Sequence, residues 1–437
     1  MNTSSLAGHA IELVDIIVKS NSPADRIVAD FYKERRYLGS HDRRWITEKV
    51  YSIIRNFILL KELSTSCAPH SGAFGVFIAH ELQISDLKPD VIYQQFSNLI
   101  SSYTLSGVEF DIDIFSRCIA ERIDRIRNLK ESEFTLRSFP EFFGKLLPDR
   151  IIHESLELMD SLNTEARFSI RVNTSRITRD KVIAELERAG IGATASLISP
   201  VGINLDKRVN LNTLQLFKSG MVEVQDESSQ LVGFVVNPQP GELVVDACAG
   251  GGGKSLELAD LSGGQARIYS LDVEPDRLST LKSRSERDGF KNISAIRANR
   301  NSFDQIENLV STADKVLVDA PCTGSGTIRR NPDKKFKLSE SLVEKMSAYQ
   351  CELIRHYAQL VRIGGVLVYS TCSIFELENR VVTAAFLESN STFEQLDICD
   401  MRLEVDFSQL VHKGCIEIYP HRHDMDGFYI AVMRRVK

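Results

Sequence analysis

The segment LVVDACAGGGGKSLELA, residues 243–259, constrains the fold of this chain more than any other stretch. A short apolar run is followed by an acid, a cluster of glycines and residues that open a helix. This order is typical of the first strand, loop and helix of a doubly wound α/β domain. The glycines let the backbone approach a ligand at the N-terminus of the helix. The segment therefore predicts a parallel sheet with a nucleotide-like ligand at its edge.

Several ligand classes are compatible with such a loop. Gly253, Lys254 and Ser255 resemble the end of a triphosphate-binding P-loop, but that motif needs a glycine where this chain has Cys248. A second apolar run ends at Asp272, 19 residues after Gly253, and an acid at about this distance binds ribose hydroxyls in dinucleotide-binding folds. Because dinucleotides and S-adenosylmethionine both contain a ribose, dehydrogenases and methyltransferases stay open. The alternative role for Asp272 is helix capping.

Length and composition are those of an ordinary multidomain protein. The 437 residues suffice for about three domains, and 43% of them are hydrophobic. The N-terminus lacks a basic start and no apolar run has membrane-spanning length, so we expect no signal peptide and no membrane partner. The eight cysteines form no C-x-x-C pair, which predicts reduced thiols, no metal and a cytoplasmic location. Because the net charge is −6, any nucleic-acid contact must be made by a local basic surface.

Changes in the pattern of apolar residues along the chain predict three domains. Residues 1–140 show amphipathic helical spacing, with Ser22 and Pro23 predicted as the N-cap and first residue of one helix. Residues 141–220 contain a strand-like segment, RFSIRVNT, and then a helical one, as in a small α/β domain. Residues 221–437 have the rhythm of parallel βαβ units, with strand-like runs at 243–248, 267–273, 293–298, 315–320 and 364–371. The predicted fold class is therefore α/β with an all-α N-terminal domain and a small α/β linker domain.

Two cysteines mark the ends of the fourth and fifth of these strands. Cys322 lies in KVLVDAPCTGSGTIRRNPD and Cys372, 50 residues later, in GGVLVYSTCSIFELEN. Ligands of open α/β sheets bind outside the carboxyl ends of the strands, so both thiols are expected to face one crevice. A single cysteine is more often packing, but two at equivalent strand ends indicate chemistry. We expect no metal here, because no histidine is expected beside the two thiols to complete a zinc site.

A thiol beside S-adenosylmethionine suits methylation at carbon 5 of cytosine. That carbon is a poor nucleophile in the neutral ring, and addition of a thiolate to carbon 6 makes it an enamine carbon that can attack a sulfonium methyl. The carbon 5 proton must then be removed and the enzyme thiol expelled. Since a free cysteine has a pKa of about 8.5, we expect the site to favour the thiolate with nearby positive charge or a helix dipole.

Several motifs resemble those of the RNA 5-methylcytosine methyltransferase family, typified by the bacterial 16S rRNA methyltransferase RsmB. DAPCTGSGTIRRNPD and YSTCSIFELEN are similar to its two cysteine signatures, and DACAGGGGKS to its cofactor loop, usually written C-A-A-P-G-G-K. VQDESSQL and DGFYIAVMRR extend the likeness over residues 165–437, and SHDRRWITEKVYSIIRN resembles the family's NusB-like domain. The resemblance implies a Rossmann-like, S-adenosylmethionine-dependent methyltransferase domain in residues 221–437. It also implies a NusB-like RNA-binding domain in residues 1–140.

The resemblance further implies roles for individual residues. Cys372 is expected to attack carbon 6 and Cys322 to help release the product, whereas DNA cytosine methyltransferases use the cysteine of their PC motif as nucleophile. Asp272 is expected to bind the ribose hydroxyls, and Asp319 to lie at the reacting region. The expected cofactor-binding residues are Cys248, Ala249, Gly250, Gly251, Gly252, Gly253, Lys254, Asp272, Asn299 and Asp319.

The chain departs from the family pattern at two of these positions. Asn299 stands where the family has an acid that pairs with adenine, and an amide can accept a hydrogen bond but carries no charge. Gly251 replaces the usual proline, which is expected to loosen the loop in the absence of a ligand. Both departures bear on cofactor affinity more than on the reaction.

The segment RRNPDKKFK, residues 329–337, holds five basic residues and one acidic residue directly after the PC motif. We expect Arg329, Arg330 and Lys334 to contact RNA phosphates, the alternative being an ordinary solvated loop. The predicted function is cytosine-5 methylation of an unpaired or flipped base of 16S rRNA by a monomer. The alternatives are a tRNA methyltransferase of the same chemistry and a non-catalytic ribosome-assembly factor, with a dehydrogenase more remote. A pure RNA-binding factor would need neither Cys322 nor Cys372.

Overall fold

The structure, a computed structural model, describes residues 1–105, 110–128, 132–299 and 302–437. The chain forms two compact units, a helical unit of Met1–Thr164 with Ile328–Ser339 and an α/β unit of Glu165–Thr327 with Glu340–Lys437. The α/β fold class with a helical N-terminal region is thereby confirmed. The division into three domains at 140 and 220 stays a prediction. None of the described helices combines the length and apolar character needed to cross a membrane.

The helical unit is built on amphipathic helices that share one apolar cluster. In the third helix Ile46, Val50 and Ile53 follow helical spacing and are fully buried. The sixth helix is kinked at Phe96. The helices are α1 (Thr3–Lys19), α2 (Ala24–Glu34), α3 (Ser40–Arg55), α4 (Phe57–Cys67), α5 (Gly72–Gln83), α6 (Pro89–Leu105), α7 (Ile112–Arg127), α8 (Ser132–Leu136), α9 (Ser155–Leu162) and, from the later segment Ile328–Ser339 that belongs to this unit, α15 (Lys334–Lys337).

Helix α2 begins differently from the prediction. The sequence places Ser22 at the N-cap, but the helix starts at Ala24 and Pro23 takes the N-cap position. The Ala24 amide donates to the Asp333 carboxylate at 3.2 Å, 309 positions away in sequence. The prediction for Ser22 is wrong because a distant carboxylate satisfies the free helix amide that a local hydroxyl was expected to satisfy.

Two cysteines of the helical unit form a disulfide. Cys67 ends α4 and Cys118 lies in α7, and their Cα atoms are 5.7 Å apart. The expectation that every cysteine is a reduced thiol is therefore wrong for this pair, whose spacing of 51 residues gives no local sign that the two helices touch. Six cysteines stay free, Cys322 and Cys372 among them.

The α/β unit opens with a small antiparallel sheet whose strand order is β2-β3-β1-β4. The segment RFSIRVNT gives one of its two central strands, in which Ile170 and Val172 are fully buried. Its elements are β1 (Phe168–Val172), α10 (Arg179–Arg188), β2 (Ala193–Ala195), β3 (Gly202–Leu205), α11 (Gln215–Lys218) and β4 (Val222–Val224).

The rest of the α/β unit is a nine-stranded mixed sheet flanked by helices. Its order is β11-β12-β13-β9-β8-β5-β6-β7, and β10 pairs with β13. All five strand-like runs of the sequence analysis are strands, as expected. The elements are α12 (Glu227–Val236), β5 (Leu243–Asp246), α13 (Gly253–Leu261), β6 (Arg267–Asp272), α14 (Pro275–Asp288), β7 (Ile293–Arg297), β8 (Ala313–Asp319), α16 (Glu340–Ala358), β9 (Val361–Thr371), α17 (Arg380–Ser389), β10 (Phe393–Leu396), β11 (Val411–His412), β12 (Cys415–Ile418), α18 (Pro420–His423) and β13 (Phe428–Arg435).

The order of the strands creates the site. The chain runs outward from β5 through β6 to β7, and then returns to the other side of β5 as β8 and β9. These five strands are parallel, so their carboxyl ends share one edge. The reversal of strand order beside β5 is where ligands of doubly wound sheets bind.

Candidate active site

The glycine loop between β5 and α13 has the backbone geometry of a ligand cradle. Gly250 and Gly252 adopt φ values of 54° and 86°, in the left-handed region that favours glycine. A Cβ atom added to Gly252 would lie 2.1 Å from Leu281 Cδ1, so with this φ any other residue would be strained there. A Cβ atom on Gly250 or Gly253 would meet no heavy atom within 4 Å. The loop thus presents open space in front of a helix N-terminus.

Asp272, at the end of β6, ties this loop to the sheet. Its Oδ2 accepts the Gly250 amide at 2.8 Å and its Oδ1 accepts the Glu274 amide at 2.8 Å. Each carboxylate oxygen has a further lone pair, so these bonds leave capacity for a ribose hydroxyl. The Asp272 side chain can therefore hold these two backbone amides and still accept a hydrogen bond from a ribose hydroxyl.

The two departures from the family pattern have different surroundings. The Gly251 carbonyl accepts the Arg284 guanidinium at 2.6 Å, and Arg284 also pairs with Glu223 of β4 at 2.8 Å. This brace opposes the loosening expected from a glycine at position 251. Asn299 follows β7, is exposed and forms an isolated bridge with Ser302.

A charged pair joins the first turn of α13, directly after the glycine loop, to the end of β8. The Lys254 ammonium donates to Asp319 Oδ2 at 2.7 Å, and Ser370 donates to Asp319 Oδ1 at 2.8 Å. Burial lowers the pKa of Lys254, but the Asp319 carboxylate outweighs it and the pKa is raised, with Cys372 also contributing. The ammonium is thus firmly charged, and its positive charge lies close enough to Cys372 for the two groups to interact.

Burial raises the pKa of two more groups near this pair. Burial raises the pKa of Asp246 to about 6, against the hydrogen bond it accepts from Ser255 at 2.7 Å. Burial, followed by the charges of Asp246 and Asp319, raises the pKa of Cys248 well above its ordinary value. Cys248 is therefore a thiol, half-buried against an apolar cluster of the sheet, and it offers no thiolate to compete with the strand-end cysteines.

Cys322 and Cys372 are adjacent in space. Their Sγ atoms are 3.3 Å apart. Asp319 of β8 pairs in register with Ser370 of β9, and Cys322 lies three residues after Asp319 while Cys372 lies two residues after Ser370. The Cys372 carbonyl accepts the Gly326 amide at 3.0 Å, and the Gly326 carbonyl accepts the Gly427 amide at 2.9 Å. The structure thus brings together the two thiols that the sequence analysis placed at neighbouring strand ends, and a common crevice for them stays a prediction.

The basic segment 329–337 is divided between buried and partly exposed side chains. Arg329 is only 6% exposed and Lys335 1% exposed, and Lys335 donates to Asn163 at 2.7 Å and to the Arg55 carbonyl within the helical unit. A buried guanidinium is poorly placed for a phosphate contact, so Arg329 is better explained by packing. Arg330 and Lys334 are partly exposed.

Sequence reasoning did not single out several residues that hold the site. They are Arg284 at the glycine loop, Ser370 at Asp319, and Gln350 and Glu378 beside the cysteine loops. Ser370 and Glu378 lie within the quoted motif YSTCSIFELEN, which was the available signal. Arg284 and Gln350 lie on helices with no local mark of their contacts.

Comparisons with known proteins agree with this geometry. A family model described as 16S rRNA methyltransferase RsmB/F matches residues 233–434, and an RsmF/B-like, ferredoxin-like domain model matches residues 139–212. The probable ribosomal RNA small subunit methyltransferase B of Synechocystis sp. is 31% identical over 424 residues, covering 94% of this chain and 95% of that protein. The protein of the same description from Bacillus subtilis is 33% identical over 303 residues, covering 69% and 67%.

The fold is shared with solved structures. The crystal structure of PH0851 superposes with a TM-score of 0.79 at 27% identity, covering 100% of this chain and 99% of that one. Full-length similarity in sequence and fold, together with the glycine loop and paired cysteines at the expected strand ends, gives one conclusion. The chain belongs to the RsmB/F family of 16S rRNA methyltransferases.

Proposed function

We propose that this protein methylates carbon 5 of a cytosine in 16S rRNA, in the cytoplasm, through a covalent adduct between Cys372 and carbon 6 of the base. The observation that carries the proposal is the pair of thiols 3.3 Å apart at the carboxyl ends of β8 and β9. Methyltransferases that act on an already nucleophilic atom need no thiol, whereas carbon 5 of cytosine needs covalent activation.

The residues around the glycine loop fit S-adenosylmethionine. The loop offers open space before α13, and Asp272 keeps lone pairs for the ribose hydroxyls. The proposed binding residues are the loop from Cys248 to Lys254, with Asp272, Asn299 and Asp319. When bound there, S-adenosylmethionine supplies an electrophilic sulfonium methyl group.

The chain's own residues then divide the reaction between two thiols. The Cys372 thiolate, favoured by the Lys254 ammonium, adds to carbon 6, and the electron pair of the 5,6 double bond becomes available at carbon 5. After carbon 5 carries the methyl group, its proton must leave, the carbon–sulfur bond must break and the Cys372 thiolate must re-form. Cys322, whose sulfur lies 3.3 Å from that of Cys372, is placed to assist this release.

The target can be tested by bisulfite sequencing of RNA from cells with and without the gene. We expect one cytosine of 16S rRNA to resist conversion only when the gene is present, and Cys372→Ala to behave like the deletion. If the cytosine that resists conversion only in the presence of the gene lies in tRNA, the substrate is tRNA rather than 16S rRNA. No gene-dependent cytosine in any RNA would contradict the cytosine-5 assignment.

We expect Asp272→Ala to weaken S-adenosylmethionine binding by about 1–3 kcal/mol, the range for a lost hydrogen bond to a charged group. The loss has two sources, the ribose contact and the bond that fixes the Gly250 amide. Isothermal titration calorimetry measures it, with Asp276→Ala, an exposed acid in the first turn of α14, as the matched control. An unchanged dissociation constant for Asp272→Ala would place the ribose elsewhere.

We expect replacement of both Arg330 and Lys334 by glutamine to weaken RNA binding and flatten its dependence on salt. Each lost phosphate contact releases about one counterion fewer, so the slope of log K against log salt should fall by about 2 or less. Filter binding between low and moderate salt measures the slope, and Lys345→Gln, an exposed lysine of α16, serves as a charge control. Equal slopes for the double variant and the native protein would mean that Arg330 and Lys334 do not contact phosphates and that the segment is an ordinary solvated loop.

A further inference from the structure

A buried carboxylate lies behind the two cysteine loops. Glu378 ends a short 3-10 helix, Glu376–Glu378, that follows β9, and its side chain is fully buried. Glutamate is almost never fully buried unless its charge is paired or hydrogen-bonded. Here Oε1 accepts the Thr323 amide at 2.8 Å and the Gln350 side-chain amide at 3.0 Å. Oε2 accepts the hydroxyls of Thr323 and Ser373, both at 2.5 Å.

These donors connect the carboxylate to both cysteines. Thr323 directly follows Cys322, and Ser373 directly follows Cys372. One carboxylate therefore holds the residue after each thiol, although the two loops are 50 positions apart in sequence. Charge-assisted hydrogen bonds of this kind are about twice as strong as neutral ones and fix geometry accordingly.

The surroundings of Glu378 make it a rigid point of attachment. The Tyr369 hydroxyl of β9 donates to the Glu378 carbonyl at 2.7 Å, which anchors the backbone of the 3-10 helix to the strand. The Gln350 side chain of α16 also donates to the Pro321 carbonyl at 2.9 Å, on the other side of Cys322. The two loops are thus held from the sheet and from a helix at once.

We infer that Glu378 is a positioning residue that sets the separation of the Cys322 and Cys372 thiols and so the efficiency of product release. The inference rests on the proposed two-thiol mechanism. Both carboxylate oxygens are buried and occupied by four donors, so Glu378 acts through Thr323 and Ser373 rather than on the base itself. Without the carboxylate, the two loops lose their common acceptor. Cys372, directly after β9, keeps its place for attack, while Cys322, three residues beyond β8, moves away from it.

The test compares Glu378→Gln with Glu376→Gln, a partly exposed glutamate on the same 3-10 helix. Glutamine keeps the shape but supplies two donors where the site needs acceptors. We expect kcat to fall roughly 10- to 100-fold in Glu378→Gln, the equivalent of one lost charged hydrogen bond. The dissociation constant for S-adenosylmethionine should stay unchanged, and a covalent RNA adduct should accumulate. Glu376→Gln should match the native protein in all three measurements.

A second readout needs neither RNA nor activity. Diamide oxidises two adjacent thiols to a disulfide and is itself reduced to the hydrazine, and peptide mass mapping follows the Cys322–Cys372 bond. We expect this bond to form at least about tenfold more slowly in Glu378→Gln, because the reaction depends on thiol proximity. Thr323→Val, which removes one of the hydroxyl donors to Oε2, provides a milder variant and should show an intermediate rate.

The outcomes separate the two proposals. Slower disulfide formation in Glu378→Gln, with no methylation of cytosine by the native protein, would support the role of Glu378 in setting the separation of the thiols and overturn the proposed function and, with it, the role in product release. Equal disulfide rates in the native protein, Glu378→Gln and Thr323→Val would overturn the positioning role, whatever the activity. A lower kcat in Glu378→Gln accompanied by weaker S-adenosylmethionine binding would also overturn it, because that pattern indicates general damage to the fold.

Discussion

Replacement of Cys322 by alanine is expected to trap a covalent RNA–protein adduct that survives denaturing electrophoresis. The attacking thiol, Cys372, is intact in this variant, and neither its addition to carbon 6 nor methyl transfer uses the second thiol. The adduct then waits for loss of the carbon 5 proton and cleavage of the carbon–sulfur bond, the stage at which Cys322 acts. Since the two sulfurs are 3.3 Å apart, loss of Cys322 removes a side chain that lies beside the bond that must break.

The double variant Cys322→Ala/Cys372→Ala is the control for this experiment. It should form no adduct, because the attacking thiol is gone. If Cys372→Ala traps RNA and Cys322→Ala does not, the roles are reversed and the order used by DNA cytosine methyltransferases applies. If neither variant traps RNA, release does not depend on a second thiol, and Cys322 is a packing residue of the PC loop.

Replacement of Cys372 by alanine is expected to abolish methyl transfer, with a fall in kcat of at least roughly a thousandfold, as for other essential covalent nucleophiles. The substitution removes only the sulfur, and the backbone bond from the Gly326 amide to the Cys372 carbonyl can persist. The glycine loop follows β5 and Asp272 ends β6, whereas Cys372 follows β9. The affinity for S-adenosylmethionine should therefore stay near that of the native protein.

Cys399→Ala is the matched control, since Cys399 is an exposed free thiol outside the site. It should retain full activity in a tritiated-methyl transfer assay with 16S rRNA. Full activity of Cys372→Ala in the same assay would remove the nucleophile assignment. A parallel loss of cofactor affinity in Cys372→Ala would show that the thiol supports the binding site rather than the chemical step.

The local pattern of the chain was enough to predict the sheet that carries the site. The runs that became β5, β6, β8 and β9 are short and apolar, and each is bounded by glycine, proline or acidic residues. Parallel strands share an edge at their carboxyl ends, so the meeting of Cys322 with Cys372 followed from their positions in two such runs. The glycine loop was equally local, because a left-handed turn before a helix leaves little choice but glycine.

Contacts between segments far apart in sequence were decided only by the tertiary structure. Three such features have no signal in the residues beside them. They are the bond from the start of α2 to Asp333 rather than Ser22, the disulfide between Cys67 and Cys118, and the burial of Arg329. The same holds for the brace from Arg284 and for the carboxylate of Glu378 that joins two loops. Periodicity and turn residues report on neighbours along the chain. The partner of a buried polar group is instead determined by how helices and strands pack. Burying such a group without a hydrogen-bonding partner costs about 1–3 kcal/mol by mutational measurement, and more for a full charge.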